Sequence, residues 1–347
     1  MIKRKLTHGM ISLFLCVLIT MFLIFEETLT EAARDALHLS ALHIIPAIFP
    51  YMVISSVTVS LGLLDPICRF LPTRRLFHLP QSSASVIITG MIGGFPTGAV
   101  GAGKLYESGA ISREEASRVC ALASCASPAF VVGTVGSLWG REYAVFLLVA
   151  QTVTAFIIAA LLAFGKRGIR TAENSVKPAH PAPIRAVCSA ISEGATSCVT
   201  ICGYIVFFRV IITLIGTVAP PLYEYAAAIL EFSAGVATGA AHGGIFGISI
   251  TGFAVGFSGV SVFMQNANIL SRHGIPNSPI FVTKFIHGAL LSLASAVFYA
   301  VFKPSAKLLE TCTKMHSPHT LYVTVFAVFS AIIIYFFAHK KYFCRRS

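Results

Sequence analysis

Long apolar runs fill most of the chain and alternate with short polar segments. A helix needs about 20 apolar residues to cross a bilayer. The segments that satisfy this length are residues 10–25, 44–64, 113–139, 143–164, 197–218, 222–241, 279–302 and 321–338. The pattern therefore predicts an all-α, polytopic membrane protein with about eight transmembrane helices.

Two further apolar segments, residues 85–103 and 245–270, contain too many glycine or proline positions for one regular helix. Residues 250–257 (ITGFAVGF) repeat residues 88–95 (ITGMIGGF) with five identities in eight positions. Non-helical backbone is tolerated at membrane depth only where protein or a water-filled cavity surrounds it, and such breaks mark transporter binding sites. We therefore expect two glycine-broken re-entrant hairpins beside a shared solvated pocket.

The chain also shows signs of an internal duplication. Residues 51–62 align loosely with residues 204–215, so a span followed by a broken segment occurs twice. Three predicted crossings separate the copies, and an odd number inverts the second copy. The predicted units are an N-terminal anchor (1–30), a first repeat (31–164), a cytoplasmic linker (165–186), a second repeat (187–303) and a C-terminal helix with a basic tail (304–347).

Several local patterns carry specific expectations. Residues 31–43 are weakly amphipathic and predict a helix along the membrane interface. Ser112 with Glu115 predicts a capped helix start, and Ser127-Pro128 predicts an opening in that helix. Trp139 is typical of an interfacial anchor.

Composition excludes a soluble protein. The 347 residues are 56% hydrophobic and 12% charged, with a mean hydropathy of +0.80, whereas soluble domains carry about 25% charged residues. The net charge of +12 comes from 26 basic and 14 acidic residues. The basic residues gather at segment ends and in short loops, which is typical of the positive-inside rule and not of a nucleic-acid-binding face. The predicted partner is therefore the lipid bilayer, and nucleic acid is not expected.

The charges leave one topological question open. Residues 222–241 either cross the membrane or lie along its interface. With a full crossing the basic tail is cytoplasmic, but both broken segments then enter from the same side. With an interfacial helix the inversion is preserved, but the tail lies outside.

Arg209 lies near the middle of an otherwise apolar span. A charge there costs at least about 2.5 to 3.5 kcal/mol, so the side chain should face the protein interior and find a partner. Two interpretations remain open: an ion pair with Glu193, Glu224 or Glu231, or a counter-ion for an anionic substrate.

Polar and small residues around both broken segments complete the candidate site. Lys284, His287 and His242 are weaker candidates, since each alone is typical of an interface or packing residue. The candidate substrate-binding residues are Gly94, Phe95, Pro96, Thr97, Gly98, Ser127, Arg209, Phe257, Ser258, Gly259, Gln265 and Asn266.

Nothing in the sequence supports catalysis. Residues 98–104 fit the spacing of a phosphate-binding loop, but Leu105 stands where serine or threonine is needed and no strand precedes. The nine cysteines show no metal-ligand spacing and are expected to be small buried hydrophobes. We therefore expect neither an enzyme nor a bound metal or cofactor.

Several motifs resemble the nucleoside-recognition "gate" domain. They are Gly94-Phe95-Pro96-Thr97-Gly98-Ala99, Gly109-Ala110-Ile111, Glu114-Glu115-Ala116 with Arg118, Ser127-Pro128-Ala129-Phe130 and Gly133-Thr134-Val135-Gly136. Over most of its length the chain is similar to the sporulation integral membrane protein family (YlbJ type) of spore-forming Firmicutes. The run Gly259-Val260-Ser261-Val262-Phe263-Met264-Gln265 resembles that family's second glycine-serine-glutamine segment.

This resemblance implies two gate-like repeats in a multi-pass protein of the bacterial cell membrane, with the outer forespore membrane of the mother cell as the finer location. It also implies movement of dipicolinate, a dianion whose carboxylates suit a buried guanidinium such as Arg209. We therefore expect a secondary transporter of a small polar or anionic solute, with a dicarboxylate as the implied partner. The alternatives are a non-transporting membrane scaffold for spore assembly, a nucleoside-type transporter and, third, a membrane-embedded enzyme.

Overall fold

The computed structural model describes residues 2–164 and 181–304. Within these ranges every regular element is a helix, and five helices are long and apolar enough to cross a membrane: residues 113–139, 141–163, 183–218, 244–271 and 278–302. A sixth candidate is the pair 10–24 and 26–42, whose helices meet at 90°. The chain is therefore an all-α polytopic membrane protein, as predicted. The C-terminal helix predicted at 321–338 and most of the predicted linker lie outside the described residues.

We number the helices in chain order. The first half contains α1 (Ile2–Ile24), α2 (Glu26–Leu39), α3 (Ile45–Ser60), α4 (Asp65–Cys68), α5 (Thr73–Phe77), α6 (Ser83–Gly93), α7 (Thr97–Glu107), α8 (Arg113–Ala123), α9 (Pro128–Phe130), α10 (Gly136–Trp139) and α11 (Arg141–Phe164). The second half contains α12 (Pro183–Val218), α13 (Tyr223–Leu230), α14 (Phe232–His242), α15 (Gly244–Phe257), α16 (Gly259–Ser271) and α17 (Ser278–Phe302). Two π-helical turns, Ser40–Ile44 and Val131–Val135, join α2 to α3 and α9 to α10.

The prediction that residues 31–43 lie along the membrane interface is wrong. α2, the first π-helical turn and α3 follow one another, and this long helical stretch packs against α12. Leu29 shares a buried cluster with Leu214, and Ala36 shares another with Ile201. The weak apolar stripe therefore faces a neighbouring helix and not the lipid headgroups.

The first broken segment is a helical hairpin formed by α6 and α7. A Cβ atom on Gly90 would lie 3.1 Å from the Cα atom of Gly98, and one on Gly101 would lie 2.7 Å from Val86. Only antiparallel arms bring these pairs together, so the chain turns back at residues 94–96. The expected re-entrant hairpin is present at this position.

The helix after this hairpin begins and opens where the sequence indicated. Ser112 accepts a hydrogen bond from the amide of Glu115, whose carboxylate accepts one from the Ser112 amide, so the capping box is complete. The helical path stops at residues 124–127 and resumes at Pro128 in the same span. There Ser127 accepts a hydrogen bond from the Phe130 amide. α8, α9 and α10 therefore form one interrupted span.

Trp139, at the end of this span, is not the predicted interfacial anchor. Its side chain is only 2% exposed, and its indole nitrogen donates a hydrogen bond of 3.0 Å to the Thr251 hydroxyl. Neighbouring Tyr143 is also buried and hydrogen-bonds to Ser295. These contacts join the two halves of the chain inside the bundle.

Residues 222–241 follow neither of the two predicted paths. α13 ends at Glu231, whose backbone is extended, and α14 then returns along α13. A Cβ atom on Gly235 would lie 2.9 Å from the Cα atom of Ala228, which requires the two helices to fold back on each other. This segment is therefore the helical hairpin of the second half.

Residues 245–270, conversely, are not the predicted second hairpin. α15 and α16 form one interrupted span, with Ser258 in the left-handed conformation (φ 73°) between them. Gly256 lies inside α15 against Gly288, two residues before the break. The matching sequences 88–95 and 250–257 therefore occupy different elements, a hairpin arm and half of an interrupted span.

Each hairpin tip contacts the break of the interrupted span that follows it. In the first half a Cβ atom on Gly94 would lie 2.9 Å from the Ser127 nitrogen. In the second half a Cβ atom on Gly259 would lie 3.2 Å from the Cα atom of Glu231. Both pairs bring backbone against backbone, so residues without side chains are needed at Gly94 and Gly259.

The order of the elements determines the side from which each hairpin enters. Three crossings separate the hairpins: the interrupted span α8–α10, then α11, then α12. Most of the described cations in loops and at helix ends lie on the same side of the protein as the base of the first hairpin. By the positive-inside rule this side is cytoplasmic. These residues are Arg69, Arg74, Arg75, Lys104, Arg113, Arg118, Arg185 and Arg272. The inversion remains a prediction, and it places the α14–α15 turn outside.

Cysteine labelling tests this topology. Ser108 and His242 are both exposed, at the base of the first and second hairpin respectively. In intact cells, Ser108→Cys should react with a membrane-permeant maleimide but not with an impermeant one, and His242→Cys should react with both. The unsubstituted protein provides the background from its own cysteines. Labelling of both positions from the same side would contradict the inversion.

The tip contact can be tested through stability. Gly94→Ala should destabilise the protein by about 1 to 3 kcal/mol, because its backbone has φ 75° and the added methyl would lie 2.8 Å from the Ser127 Cβ atom. The control is Gly203→Ala on α12, where nothing lies within 4 Å of the added carbon. Thermal unfolding in detergent should show a clear loss for Gly94→Ala and none for the control. Equal stability of the two variants would mean that the tip is not tightly packed.

Candidate functional site

The break between α8 and α9 contains a buried lysine from another helix. Lys284, on α17, is 5% exposed, and its ammonium nitrogen donates a 2.5 Å hydrogen bond to the carbonyl of Ser124. The same nitrogen lies 5.8 Å from the centre of the Phe95 ring at the first hairpin tip. Among the described residues, no aspartate or glutamate forms an ion pair with Lys284. A positive charge on this nitrogen would therefore have only neutral partners among the described residues.

His287, one turn further along α17, links Lys284 to α11. Its Nε2 atom lies 3.1 Å from the Gln151 carbonyl and its Nδ1 atom 3.3 Å from the Lys284 nitrogen. A carbonyl can only accept, so Nε2 carries a hydrogen. In a neutral ring Nδ1 is then the acceptor and faces Lys284.

The side chain of Gln151 satisfies the backbone at the same break. Its amide nitrogen donates to the Ala126 carbonyl at 3.0 Å, and its oxygen accepts from the Ala126 amide at 3.2 Å. Gln151 is 2% exposed and lies on α11. Lys284 and Gln151 thus supply the hydrogen-bond partners that the interrupted helix lacks.

The second half contributes a side-chain amide whose oxygen has no hydrogen-bond partner among the described residues. Asn266, on α16, is 2% exposed and donates a 3.3 Å hydrogen bond to the Ser124 hydroxyl. Its side-chain oxygen is buried and has no partner in the part of the chain that the structure describes. An unpaired buried acceptor costs about 1 to 3 kcal/mol, so this oxygen lacks a hydrogen-bond donor. Nearby Gln265 donates to Ser261 at 3.4 Å.

The two hairpin tips are in contact with each other. The Phe95 ring meets the Phe232 ring edge-on at 5.6 Å, and Phe130 also packs on Phe232 at 4.7 Å. Behind Phe232, the buried carboxylate of Glu231 accepts hydrogen bonds from the amides of Ser233 and Ala234. Aromatic side chains therefore meet where the sequence predicted a solvated pocket, and that pocket stays a prediction.

The structure brings most of the predicted residues to this place. Gly94, Phe95, Pro96, Thr97 and Gly98 form the first tip. The hydroxyl of Thr97 is buried without a partner among the described residues. Ser127, Ser258, Gly259 and Asn266 lie at or beside the two breaks, and Phe257 packs behind them against α17.

Arg209 does not form the ion pair that one interpretation predicted. Lys104 contacts Glu193 at 2.6 Å, His242 lies 4.0 Å from Glu224, and Glu231 caps α14. The Nε atom of Arg209 is buried, with no hydrogen-bond partner in the described ranges. No described contact connects Arg209 to Lys284, so its counter-ion role is untested.

Three residues of the site are not evident from the sequence. Lys284 was only a weak candidate, and Ser124 and Gln151 were not candidates at all. A glutamine in the otherwise apolar run 143–164 was the available signal, since such a residue inside a transmembrane helix needs a partner.

A small cavity, with room for a water molecule, lies between α5, α8, α11 and α17. Arg118 and Leu79 line it on the side of the first hairpin's base, and Thr283 and His287 line it from α17. Arg118 donates hydrogen bonds to the carbonyls of Phe77 and His78, which hold its guanidinium at the mouth. His287 is therefore shared between this cavity and the Lys284 cluster.

Comparison with known proteins supports a coarse assignment. The chain is 23% identical over 313 aligned residues, 74% of each chain, to the sporulation integral membrane protein YlbJ of Bacillus subtilis strain 168. No family model and no solved structure matches. The chain is thus a membrane protein related to a sporulation integral membrane protein.

Proposed function

We propose that this protein is a secondary transporter of a small anionic solute. The solute binds where the two hairpin tips meet the two interrupted spans, and the Lys284 ammonium provides the positive charge. The observation that carries this proposal is a buried lysine that has only neutral partners among the described residues. Ionisable residues inside membrane proteins are functional by default, because a charge without a function would be costly to keep there.

The neighbours of Lys284 fit a carboxylate. The Asn266 amide can turn its nitrogen toward an anion once it leaves Ser124, and the hydroxyl of Ser124 can donate. At the first hairpin tip, the unpartnered hydroxyl of Thr97 offers a further donor. Phe95 and Phe232 offer flat apolar surfaces beside these donors. An aromatic or planar carboxylate therefore matches the site better than a fully polar solute.

Access requires the tips to separate. The Phe95 ring lies over Lys284 and packs against the Phe232 ring, and each tip rests on a break and not on a continuous helix. The first hairpin is anchored at its base by the ion pair of 2.6 Å between Lys104 and Glu193 on α12. Small rotations of a hairpin about its base would open the site to one side at a time, which is the general scheme of alternating access.

Dipicolinate is our leading candidate for the solute. It is a planar aromatic dianion, so it combines the two properties that the site favours. The relationship to a sporulation protein supports this choice, as does the resemblance of the residue 94–99 motif. On the same grounds we propose the outer forespore membrane as the location.

Counterflow in proteoliposomes tests the proposal. Purified protein preloaded with unlabelled dipicolinate should take up the labelled compound, and a panel of other carboxylates and nucleosides defines selectivity. Lys284→Met should weaken binding by about 2 kcal/mol or more, roughly thirtyfold, because the anion loses its buried counter-charge. Arg272→Met, at an exposed cation near the end of α16, is the matched control and should retain wild-type exchange.

Two further variants separate the possible failures. Asn266→Ala should also reduce exchange. Because it leaves the hydrogen bond between Lys284 and Ser124 in place, it tests the site even if Lys284→Met unfolds. Arg209→Met tests the alternative counter-ion, and loss of exchange there with full activity of Lys284→Met would move the site to Arg209. No exchange of any panel member by folded wild-type protein would favour the scaffold alternative.

A further inference from the structure

The cavity beside His287 leads to a second inference, which rests on the proposed function. We propose that protons travel with the anion, and that they reach Lys284 from the cytoplasmic side through this cavity and His287. The protein would then be a proton-coupled anion symporter.

The charge balance at Lys284 favours coupling between proton and anion. The described partners of Lys284 are a carbonyl, an imidazole nitrogen and an aromatic face. Burying an ammonium with neutral partners alone is unfavourable, and an anion beside it removes that penalty. Anion binding and proton binding at Lys284 therefore favour each other, and this coupling is reciprocal.

His287 provides the route for the proton. His287 presents Nδ1 to Lys284 at 3.3 Å and also lines the cavity. A hydronium ion in the cavity can give a proton to Nδ1, the imidazole nitrogen that carries no hydrogen, and become water. The Nδ1 hydrogen can then pass to the lone pair of the neutral Lys284 amine. The imidazole returns to its neutral form, the lysine becomes an ammonium, and the proton count balances.

Groups from several elements surround Lys284 and His287. α8 contributes Cys120, the break after it contributes Cys125, and Arg118 of α8 lines the same cavity as His287. α11 contributes the neutral Gln151, α16 the neutral Asn266 and the first tip the Phe95 ring. None of these groups is a carboxylate, so the transported anion supplies the counter-charge that a charged Lys284 needs.

Flux under a pH gradient tests the coupling. With the membrane potential clamped at zero, an inward proton gradient should accumulate labelled dipicolinate in wild-type proteoliposomes by up to about tenfold per pH unit for one proton. Counterflow without a gradient is measured on the same vesicles. If counterflow occurs but the gradient drives no accumulation, the proton proposal fails while the transport proposal stands; if counterflow is absent, the transport proposal itself fails.

Two variants locate the proton. Lys284→Arg keeps a permanent charge, so its binding of dipicolinate should take up no proton, whereas the wild type takes up about one; calorimetry in two buffers with different ionisation heats measures this number. His287→Gln should retain proton uptake at equilibrium, because Lys284 is intact, but should slow accumulation driven by the gradient relative to counterflow. Undiminished gradient-driven accumulation in His287→Gln would overturn the route, and proton uptake by Lys284→Arg would overturn the site. If Lys284→Arg does not fold, the His287→Gln comparison still decides the route.

Discussion

The fold depends on hydrogen-bond partners for the backbone groups that are freed where helices break inside the membrane. Lipid offers no hydrogen-bond partner, so every backbone group freed at a break needs one from the protein. At residues 124–127 the partners come from distant helices. Gln151 hydrogen-bonds to both the amide and the carbonyl of Ala126, and Lys284 donates to the Ser124 carbonyl. The tip of the first hairpin covers the remaining side of this break through Gly94. The second half uses the same device where Gly259 meets Glu231.

This arrangement explains why the site is polar and yet closed. Groups that satisfy a break are buried by necessity, but their hydrogen bonds can be exchanged for bonds to a solute of matching chemistry. The lysine bound to Ser124 is such a group, since an anion can share its ammonium. The apolar ring of Phe95 lies over Lys284 and packs against the Phe232 ring. The same few side chains would therefore stabilise the break in the helix and bind the solute.

The sequence predicted what depends on local chemistry. Among the described residues, apolar length identified four of the five long spans (113–139, 143–164, 197–218 and 279–302), whereas the span predicted at 44–64 contains only the shorter helix α3. Ser112 with acids in the first turn marked a helix start, and Ser127-Pro128 marked an opening. The first hairpin followed from its density of glycine together with Pro96. These features depend on residues that are close together in the sequence, so a single sequence is enough to predict them.

The errors came from features that depend on tertiary packing. The match between residues 88–95 and 250–257 reflects a shared need for small residues where helices approach closely, as at Gly90 beside Gly98 and Gly252 beside Leu291, and not a shared place in a repeat. The second hairpin escaped notice because its break is made by Glu231, a capping acid in an otherwise apolar run, and not by glycine or proline. Lys284 lies only two turns from the start of α17, where a lysine ordinarily reaches the interface. Its depth is set by the Ser124 carbonyl, which the sequence alone does not place beside it.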